Sequence, residues 1–188
     1  ANKIQTFGAD FIVAQGIEAG GHRGTFNKSS KGDEKLRIKN LIRVLKKNIK
    51  IPIICAGGIM NGEDIANVLN EGAVAVQMGT AFLCCDEAGT NPTYKNYILE
   101  KKERRTVYTR GFSGRWAQCL ENEFISLMHG KSVLPFPLQF NLTTRLRNFA
   151  VDTRNGEYQT FYAGENFQKA RALPAAKLIN LLVQEMNT

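Results

Sequence analysis

The chain has 188 residues, of which 43% are hydrophobic and 22% are charged. This composition excludes an intrinsically disordered protein, because enough apolar surface is available for one sizeable core. Apolar runs are broken by Gln, Gly or Pro well before the roughly 20 residues that a membrane-spanning helix needs. We therefore predict no membrane segment and no signal peptide.

The formal charge of +8 comes partly from basic runs at residues 46–50 and 101–105. Both runs lie at the ends of predicted helices, where solvated basic termini are the simplest interpretation. A nucleic-acid surface would interleave basic and aromatic side chains on one face, and that arrangement is missing. The sequence therefore predicts no nucleic-acid partner.

The four cysteines are Cys55, Cys84, Cys85 and Cys119. They form no CxxC pair and have no histidine at metal-ligand spacing. This usage predicts a reduced, cytoplasmic protein without a metal site.

Strand and helix patterns alternate along the first part of the chain. In order, the pattern predicts a strand at 9–16, a helix at 33–49, a strand at 51–58, a helix at 61–72, a strand at 73–79, a helix at 93–104 and a strand at 106–112. The strands are continuously apolar, which is typical of a parallel sheet covered by helices on both faces. The alternation therefore predicts an α/β fold.

After residue 115 the pattern changes to helices and loops with scattered aromatic residues. The last predicted helix covers 174–186, and its apolar stripe is expected to pack in the core. The stripe consists of Leu178, Ile179, Leu182 and Met186. We therefore divide the chain into β/α units at 1–115 and a mostly helical segment at 116–188.

Three successive strands end in glycine-bearing turns, at residues 16–24, 56–64 and 77–82. The carboxyl ends of parallel strands lie on one side of a sheet, where α/β folds bind their ligands. Neither a Walker A loop nor a GxGxxG fingerprint occurs, which disfavours the classical ATP and NAD folds. Ordinary loop turns remain the alternative interpretation.

The second and third turns have features of a phosphate cradle. Gly57 and Gly58 let the backbone approach a ligand closely. Gly79 and Thr80 offer adjacent backbone N–H groups and a hydroxyl, and such donors favour an anion. Asn61, three residues before Asp64, resembles a helix N-cap.

The ordered segments of this chain resemble the nitronate monooxygenase family, formerly called 2-nitropropane dioxygenases. These segments are 13–24 (VAQGIEAGGHRG), 51–83, 91–99, 110–115 (RGFSGR), 162–166 (YAGEN) and 174–179. The resemblance implies an FMN-binding (β/α)8 TIM barrel with a small extra domain. Such barrels need about 250 residues or more, so four predicted strands imply the later half of the barrel plus a C-terminal helical segment.

The resemblance also implies roles for individual residues. His22 matches the active-site histidine, which as a neutral imidazole could take the proton α to a nitro group and as an imidazolium could steady a nitronate. A loop histidine that only bonds the backbone is the alternative, and neither His129 nor Arg23 is assigned a role. The implied FMN contacts are Gln15, Gly20, Gly21, Gly57, Gly58, Gln77, Met78, Gly79 and Thr80.

The activity implied by the resemblance is FMN-dependent oxidation of alkyl nitronates or nitroalkanes by O2 to carbonyl compounds and nitrite. One alternative is an FMN-dependent enoyl-acyl carrier protein reductase, which shares the glycine-histidine loop and both phosphate turns. Another is a non-catalytic FMN-binding fragment. The partners would be a small nitronate or nitroalkane and O2, and a homo-oligomer is compatible with each alternative.

The segment at 158–166, here called the tail, departs from the family pattern at one position. Glu165 follows the glycine where the family usually has glutamine, and a carboxylate cannot donate the hydrogen bonds of an amide. Tyr158 and Tyr162 lie four residues apart, so they could share a helical face near the ligand site, although core packing is the favoured role for the pair.

Overall fold

The computed structural model describes residues 1–25, 33–100 and 103–187. Within these residues the chain forms two three-stranded sheets surrounded by helices. The elements in chain order are α1 (Asn2–Thr6), β1 (Ile12–Gln15), β2 (Gly21–His22), α2 (Ile38–Asn48), β3 (Ile53–Ala56), α3 (Gly62–Asn70), β4 (Ala75–Gln77), α4 (Pro92–Glu100), β5 (Thr106–Thr109), β6 (Ala117–Leu120), α5 (Glu123–Leu127), α6 (Leu138–Asp152) and α7 (Ala175–Met186). Short 3-10 helices cover Thr80–Phe82, Gly156–Tyr158 and Phe167–Lys169.

The first sheet is parallel and has the order β1-β3-β4, with α2 and α3 as the crossover helices. Its strands end at the same level, because Gln15 pairs with Ala56 and Ala56 pairs with Gln77. The turns that follow these strands therefore start side by side. The predicted α/β fold and its first three strands are confirmed.

The second sheet is antiparallel and has the order β2-β6-β5. The fourth predicted strand, 106–112, forms β5 but does not join the parallel sheet, so that part of the prediction is wrong. The chain turns back within residues 110–116, and a connection this short can join only antiparallel strands. His22 pairs with Ala117, which attaches the glycine-histidine loop to this sheet.

Strand β6 lies where the sequence predicts helices and loops. All four of its residues are buried, and polar Gln118 interrupts an otherwise apolar run, which hides the strand from a hydrophobicity pattern. The β5-β6 hairpin crosses the proposed boundary at residue 115, and the division of the chain at that point stays a prediction.

Helix α2 begins at Ile38 instead of residue 33. The carboxylate of Glu18 accepts the N–H of Ile38 at 3.1 Å from each oxygen, so a residue distant in sequence caps this helix. The predicted cap of α3 is confirmed, since the Asn61 side chain accepts the N–H of Asp64 at 2.8 Å. Helix α4 ends at Glu100, and residues 101–102 of the predicted helix 93–104 lie outside the described residues.

The largest part of the core lies between the parallel sheet and helices α2, α3 and α7. Leu178 and Leu182 of the predicted stripe are buried here, whereas Ile179 is half exposed. All four cysteines are buried, and none forms a disulfide. Burial raises the pKa of the Cys55 thiol to about 11. Within the described ranges, no helix is long and apolar enough to cross a membrane.

Candidate functional site

The three strand ends line one cavity of about 240 Å³. The predicted cofactor contacts that line it are Gln15, Gly20, Gly57, Gly58, Gln77, Met78, Gly79 and Thr80. Of the remaining predicted residues, Gly21 and His22 do not line this cavity, although Gly21 directly follows Gly20. The level strand ends of the parallel sheet explain why residues so distant in sequence meet here.

Glycine occupies positions in the cavity wall for different structural reasons. Gly57 has φ +117° and Gly58 has φ +70°, conformations that side chains other than glycine rarely adopt. A Cβ at Gly20 would lie 2.6 Å from the backbone of Ala163, so this glycine permits contact with the tail. A Cβ at Gly79 would meet nothing within 4 Å and would point into open space. Only Gly79 therefore leaves room that the protein itself does not use.

Gln15 holds the loop that carries His22. Its Nε2 donates to the backbone oxygen of His22 at 3.0 Å, and its Oε1 accepts the N–H of Gly24 at 2.8 Å. The same side chain lines the cavity. Gln15 therefore couples the shape of the cavity wall to the position of the histidine loop.

His22 contacts the second sheet and the tail. Its Nε2 lies 2.8 Å from Oγ of Ser113, and its ring packs on Tyr162 with 5.1 Å between the ring centroids. Tyr162 lines the cavity, so it bridges His22 to the cavity wall. Burial of part of the ring, and then the charge of Arg115, lower the pKa of His22. The neutral imidazole is therefore favoured.

Ser113 is the polar partner of the His22 ring. Its hydroxyl lies 3.3 Å from the backbone oxygen of Arg115 and accepts the N–H of Arg115 at 3.2 Å. The hydrogen bond between the Ser113 hydroxyl and Nε2 of His22 can run in either direction, because the roles of the two ring nitrogens depend on the tautomer.

Arg23 has a structural role. Its guanidinium makes two bonds of 3.0 Å to the carboxylate of Asp33 and donates to the backbone oxygen of Gly16 at 3.0 Å. These contacts fix the turn after β1. They also explain why a cation next to His22 is not free to meet a substrate.

The tail contributes residues that the sequence did not indicate. The Asn166 side chain donates to the backbone oxygen of Gly58 at 2.6 Å, and the N–H of Gly164 donates to Oγ1 of Thr80 at 3.0 Å. Both tail residues line the cavity. Glu165, between them, instead pairs with Arg37 at 2.8 Å. The sequence signal that could have indicated Gly164 and Asn166 is the YAGEN segment, in which both are neighbours of Glu165.

The shared helical face predicted for the two tyrosines is wrong, whereas both pack against the buried cluster around Phe112 and Phe124, which confirms their role in core packing. Tyr158 ends a 3-10 helix, whereas Tyr162 pairs with Cys119 in an isolated β-bridge, so they share no helical face. Gln159 and Phe161, which lie between the two tyrosines in sequence, are fully buried. Tyr162 lines the cavity.

Comparison with known sequences gives a consistent family. A family model described as nitronate monooxygenase matches residues 1–185. A nitronate monooxygenase of Pseudomonas aeruginosa is 40% identical over 97% of this chain and 53% of its own length. A probable nitronate monooxygenase of Staphylococcus haemolyticus is 37% identical over 96% of this chain and 52% of its own length. The chain thus spans about half the length of the curated relatives it matches.

Solved structures agree with the sequence matches. Nitroalkane oxidase from Streptomyces ansochromogenes is 37% identical with a TM-score of 0.95, over 99% of this chain and 54% of that one. FabK from Thermotoga maritima is 28% identical with a TM-score of 0.78, over 98% of this chain and 57% of that one. On the family match and the shared fold, this chain belongs to the nitronate monooxygenase family.

Proposed function

We propose that this chain forms the FMN and substrate site of an enzyme that oxidises alkyl nitronates or nitroalkanes with O2 to carbonyl compounds and nitrite. The observation that carries the proposal is the cavity at the level strand ends, with open space beside Gly79 and with Tyr162 linking the cavity wall to His22. The parallel sheet is, in this proposal, part of a (β/α)8 barrel.

The residues present fit the phosphate end of FMN. Gly79 begins the 3-10 helix Thr80–Phe82, and an anion beside it meets backbone N–H groups instead of a side chain. The Thr80 hydroxyl accepts the N–H of Gly164, so the hydroxyl proton of Thr80 is available to donate to the phosphate. The cavity volume of about 240 Å³ is smaller than the roughly 300–1,000 Å³ of typical ligand sites. The described residues therefore form part of the proposed FMN site. When bound, FMN supplies the electron-accepting ring for the oxidation.

In this proposal His22 handles the proton. With Nε2–H held by Ser113, Nδ1 accepts the proton from the carbon next to the nitro group of a nitroalkane. A substrate that is already a nitronate needs no such step. Gln15 holds the backbone of the loop that carries the imidazole, and Tyr162 packs on its ring.

Two glycine variants test the cofactor site. Gly79→Ala introduces a Cβ where no protein atom lies within 4 Å, so it should fold normally but collide with bound phosphate. Gly89→Ala is the matched control, because a Cβ there also meets nothing within 4 Å but lies outside the cavity. We expect FMN affinity, measured by quenching of flavin fluorescence, to fall at least tenfold in the first variant only. Equal affinities in both variants would refute the proposed phosphate position.

A substrate assay tests the activity. We expect ethyl nitronate to be consumed with O2 and to release nitrite in the FMN-loaded protein, and His22→Gln to bind FMN but to turn over nitroalkane at least a hundredfold more slowly. Flavin that is reduced by NAD(P)H but not by nitronate would favour the enoyl-acyl carrier protein reductase instead. Bound FMN that neither substrate reduces would favour the non-catalytic fragment.

A further inference from the structure

A second cleft, here called the β5 cleft, lies beside strand β5 and shares no lining residue with the cavity at the strand ends. Its volume is about 930 Å³, at the upper end of typical ligand sites. Val107, Tyr108 and Thr109 line it in succession. Because neighbouring residues of a strand point to opposite faces of the sheet, a cleft that meets all three follows the edge of the strand. Residues of α5 and of the segment 128–133 form the rest of its lining.

The register of the antiparallel sheet determines which backbone groups of β5 point away from β6. Thr106 lies opposite Leu120, so Arg105 lies opposite Glu121. The N–H of Glu121 donates to the backbone oxygen of Arg105 at 2.9 Å, which makes this a hydrogen-bonded pair. Hydrogen-bonded and non-hydrogen-bonded pairs alternate along antiparallel strands. Thr106 and Tyr108 therefore direct their backbone N–H and C=O groups away from β6.

This edge of β5 is open. Among the described strands, β5 pairs only with β6. The N–H of Leu120, opposite Thr106, donates to the backbone oxygen of Phe161 at 2.8 Å, on the other side of β6. Within the described ranges, the backbone groups of Thr106 and Tyr108 have no hydrogen-bond partner. The edge therefore offers donors and acceptors at the spacing of a β-ladder to a further strand.

The β5 cleft has an excess of positive charge. Its permanently charged side chains are Arg105, Arg110 and Lys131 and one carboxylate, Glu121. That carboxylate is already engaged, because Arg105 makes bonds of 2.7 and 3.1 Å to its two oxygens. Arg110 uses only Nε, which donates to a backbone oxygen at 3.0 Å. In the part of the chain that the structure describes, neither its terminal nitrogens nor Nζ of Lys131 has a hydrogen bond or an ion pair.

The same charges disfavour a second copy of this chain at the edge. An antiparallel two-fold pairing of β5 with itself would bring Arg105 of one chain near Arg110 of the other at each end. Like charges on paired strands are destabilising, and charged side chains of this kind protect a sheet edge from self-pairing. A strand that carries carboxylates is attracted to the same edge instead.

We propose that the β5 cleft binds an extended acidic segment of a partner protein, which adds to the second sheet as a fourth strand next to β5. The backbone of this segment pairs with Thr106 and Tyr108, and its carboxylates meet Arg110 and Lys131. In strand addition the ladder supplies affinity and the side chains supply specificity. The proposal does not depend on the proposed oxidation.

A synthetic peptide in which glutamate and valine alternate serves as the probe. The fluorescein-labelled peptide is titrated with the full chain, and binding is followed by fluorescence anisotropy. We expect a saturable increase that weakens as salt is added, because salt screens exposed charges. One control peptide has lysine in place of every glutamate, and another has N-methyl groups on its central residues, which remove their N–H donors. Each control should bind at least tenfold more weakly.

Two variants of one strand residue test the ladder from the side of the protein. Thr106→Pro removes an outward N–H at the first residue of β5, a position at which sheets tolerate proline. It should weaken binding of the acidic peptide at least tenfold. Thr106→Val is the matched control, because it keeps the N–H and loses only the hydroxyl, and it should bind as the unaltered protein does. The N-methylated peptide tests the same ladder on the unaltered protein if Thr106→Pro fails to fold.

A charge variant tests the contact with the carboxylates. Lys131→Gln should weaken binding of the acidic peptide roughly threefold to tenfold, the effect of losing one charge-assisted hydrogen bond. Because Lys131 is exposed, this substitution leaves the core intact. Lys177→Gln, which replaces an exposed lysine on α7, is the control and should leave the affinity unchanged.

Four outcomes would overturn the proposal. No saturable binding of the acidic peptide removes the site altogether. Equal affinity for the lysine peptide removes the role of the cations, and equal affinity for the N-methylated peptide removes the ladder. A molecular mass that falls to that of the monomer in Thr106→Pro but not in Thr106→Val would assign the edge to a second copy of this chain.

Discussion

At the scale of single residues, the hydroxyl of Ser113 is the hydrogen-bond partner of the His22 ring. The 2.8 Å contact to Nε2 joins two side chains that are 91 positions apart in sequence. Ser113 is itself buried, and its hydroxyl contacts both the backbone oxygen and the backbone N–H of Arg115. A fixed partner of this kind sets the orientation of the ring, and in the proposed mechanism it accepts the Nε2–H proton.

Removal of the Ser113 hydroxyl should reduce activity without loss of the cofactor. We expect Ser113→Ala to lower kcat/KM for nitroethane about threefold to tenfold, the value of one hydrogen bond. FMN affinity should stay the same, because Ser113 does not line the cavity. Ser113→Thr keeps the hydroxyl and should restore most of the activity. A Ser113→Ala enzyme with full activity would contradict the proposed role of Ser113.

The charge of Arg115 should be visible in the pH profile. Arg115 is the second cause, after burial, of the lowered pKa of His22. Replacing it by Gln removes that cause, so the acid limb of kcat/KM for nitroethane should move upward toward pH 6.5, the ordinary value for histidine. The control Arg145→Gln lies on the exposed side of α6 and should leave the profile unchanged. A downward movement of the limb would reverse the assigned sign.

The same shift has a consequence for stability. A histidine whose pKa is lower in the folded state binds its proton more readily in the unfolded state. The contribution of His22 to stability is therefore complete above pH 6.5 and decreases as the pH falls from there through the lowered folded pKa. Arg115→Gln should make this acid loss smaller.

At the scale of elements, the start of α2 depends on Glu18. Both carboxylate oxygens lie 3.1 Å from the N–H of Ile38, at the positive end of the helix. The backbone oxygen of Glu18 also accepts the N–H of Glu165 at 3.1 Å. One residue in the turn after β1 therefore joins a crossover helix to the tail.

Loss of this cap should destabilise the fold. We expect Glu18→Ala to lower the free energy of unfolding by about 1–3 kcal/mol, because a buried N–H loses its acceptor. Urea unfolding followed by circular dichroism measures the change. Glu34→Ala removes an exposed acid close to the same helix and should change the stability by no more than about 0.5 kcal/mol. Equal effects of the two variants would show that Glu18 does not cap α2.

Local sequence signals predicted the elements whose cause is local. The apolar runs around Ile12, Ile53 and Ala75 are strands, and the side chain that caps α3 lies three residues from the N–H that it accepts. The start of α2 could not be predicted in this way, because its cap is 20 positions away. Strand β6 was missed because its conformation depends on pairing with β5 and not on its own composition.

The candidate site follows the same rule. The glycine turns marked most of the cavity wall, because Gly57 and Gly58 are required by their backbone conformation and Gly20 by a close approach, whereas Gly79 leaves open space. Ser113, Tyr162 and Asn166 are ordinary residue types in the sequence. They reach the site through contacts with His22 and Gly58 that only the folded chain creates. The roles of the predicted cofactor contacts remain to be tested by the glycine variants.

At the scale of the whole molecule, the parallel sheet has two open edges. Among the described strands, β1 and β4 each pair only with β3 in this sheet. Apolar side chains are exposed on β1 and directly before β4, with 42% of Val13 and 61% of Val74 accessible to solvent. Open strand edges with exposed apolar side chains promote pairing between chains.

We expect this chain to self-associate through these edges. Analytical ultracentrifugation should show an average mass that rises with protein concentration, despite the net charge of +8. Val74→Lys places a charge at one edge and should shift the distribution toward the monomer. Lys substituted for Val44, an exposed valine on α2, is the control and should leave the mass unchanged. A concentration-independent monomer would refute edge pairing.

Because all four cysteines are buried, the rate at which their thiols are labelled can report local unfolding of this protein. At pH 8 roughly one in a thousand thiols with a pKa of about 11 is ionised, as for Cys55 and Cys84, and neither is accessible in the folded state. An alkylating reagent can therefore modify them only in molecules that have transiently unfolded around them. Labelling rates for individual thiols, resolved by mass spectrometry, would report how often the sheet opens at Cys55 and how often the segment after β4 opens at Cys84.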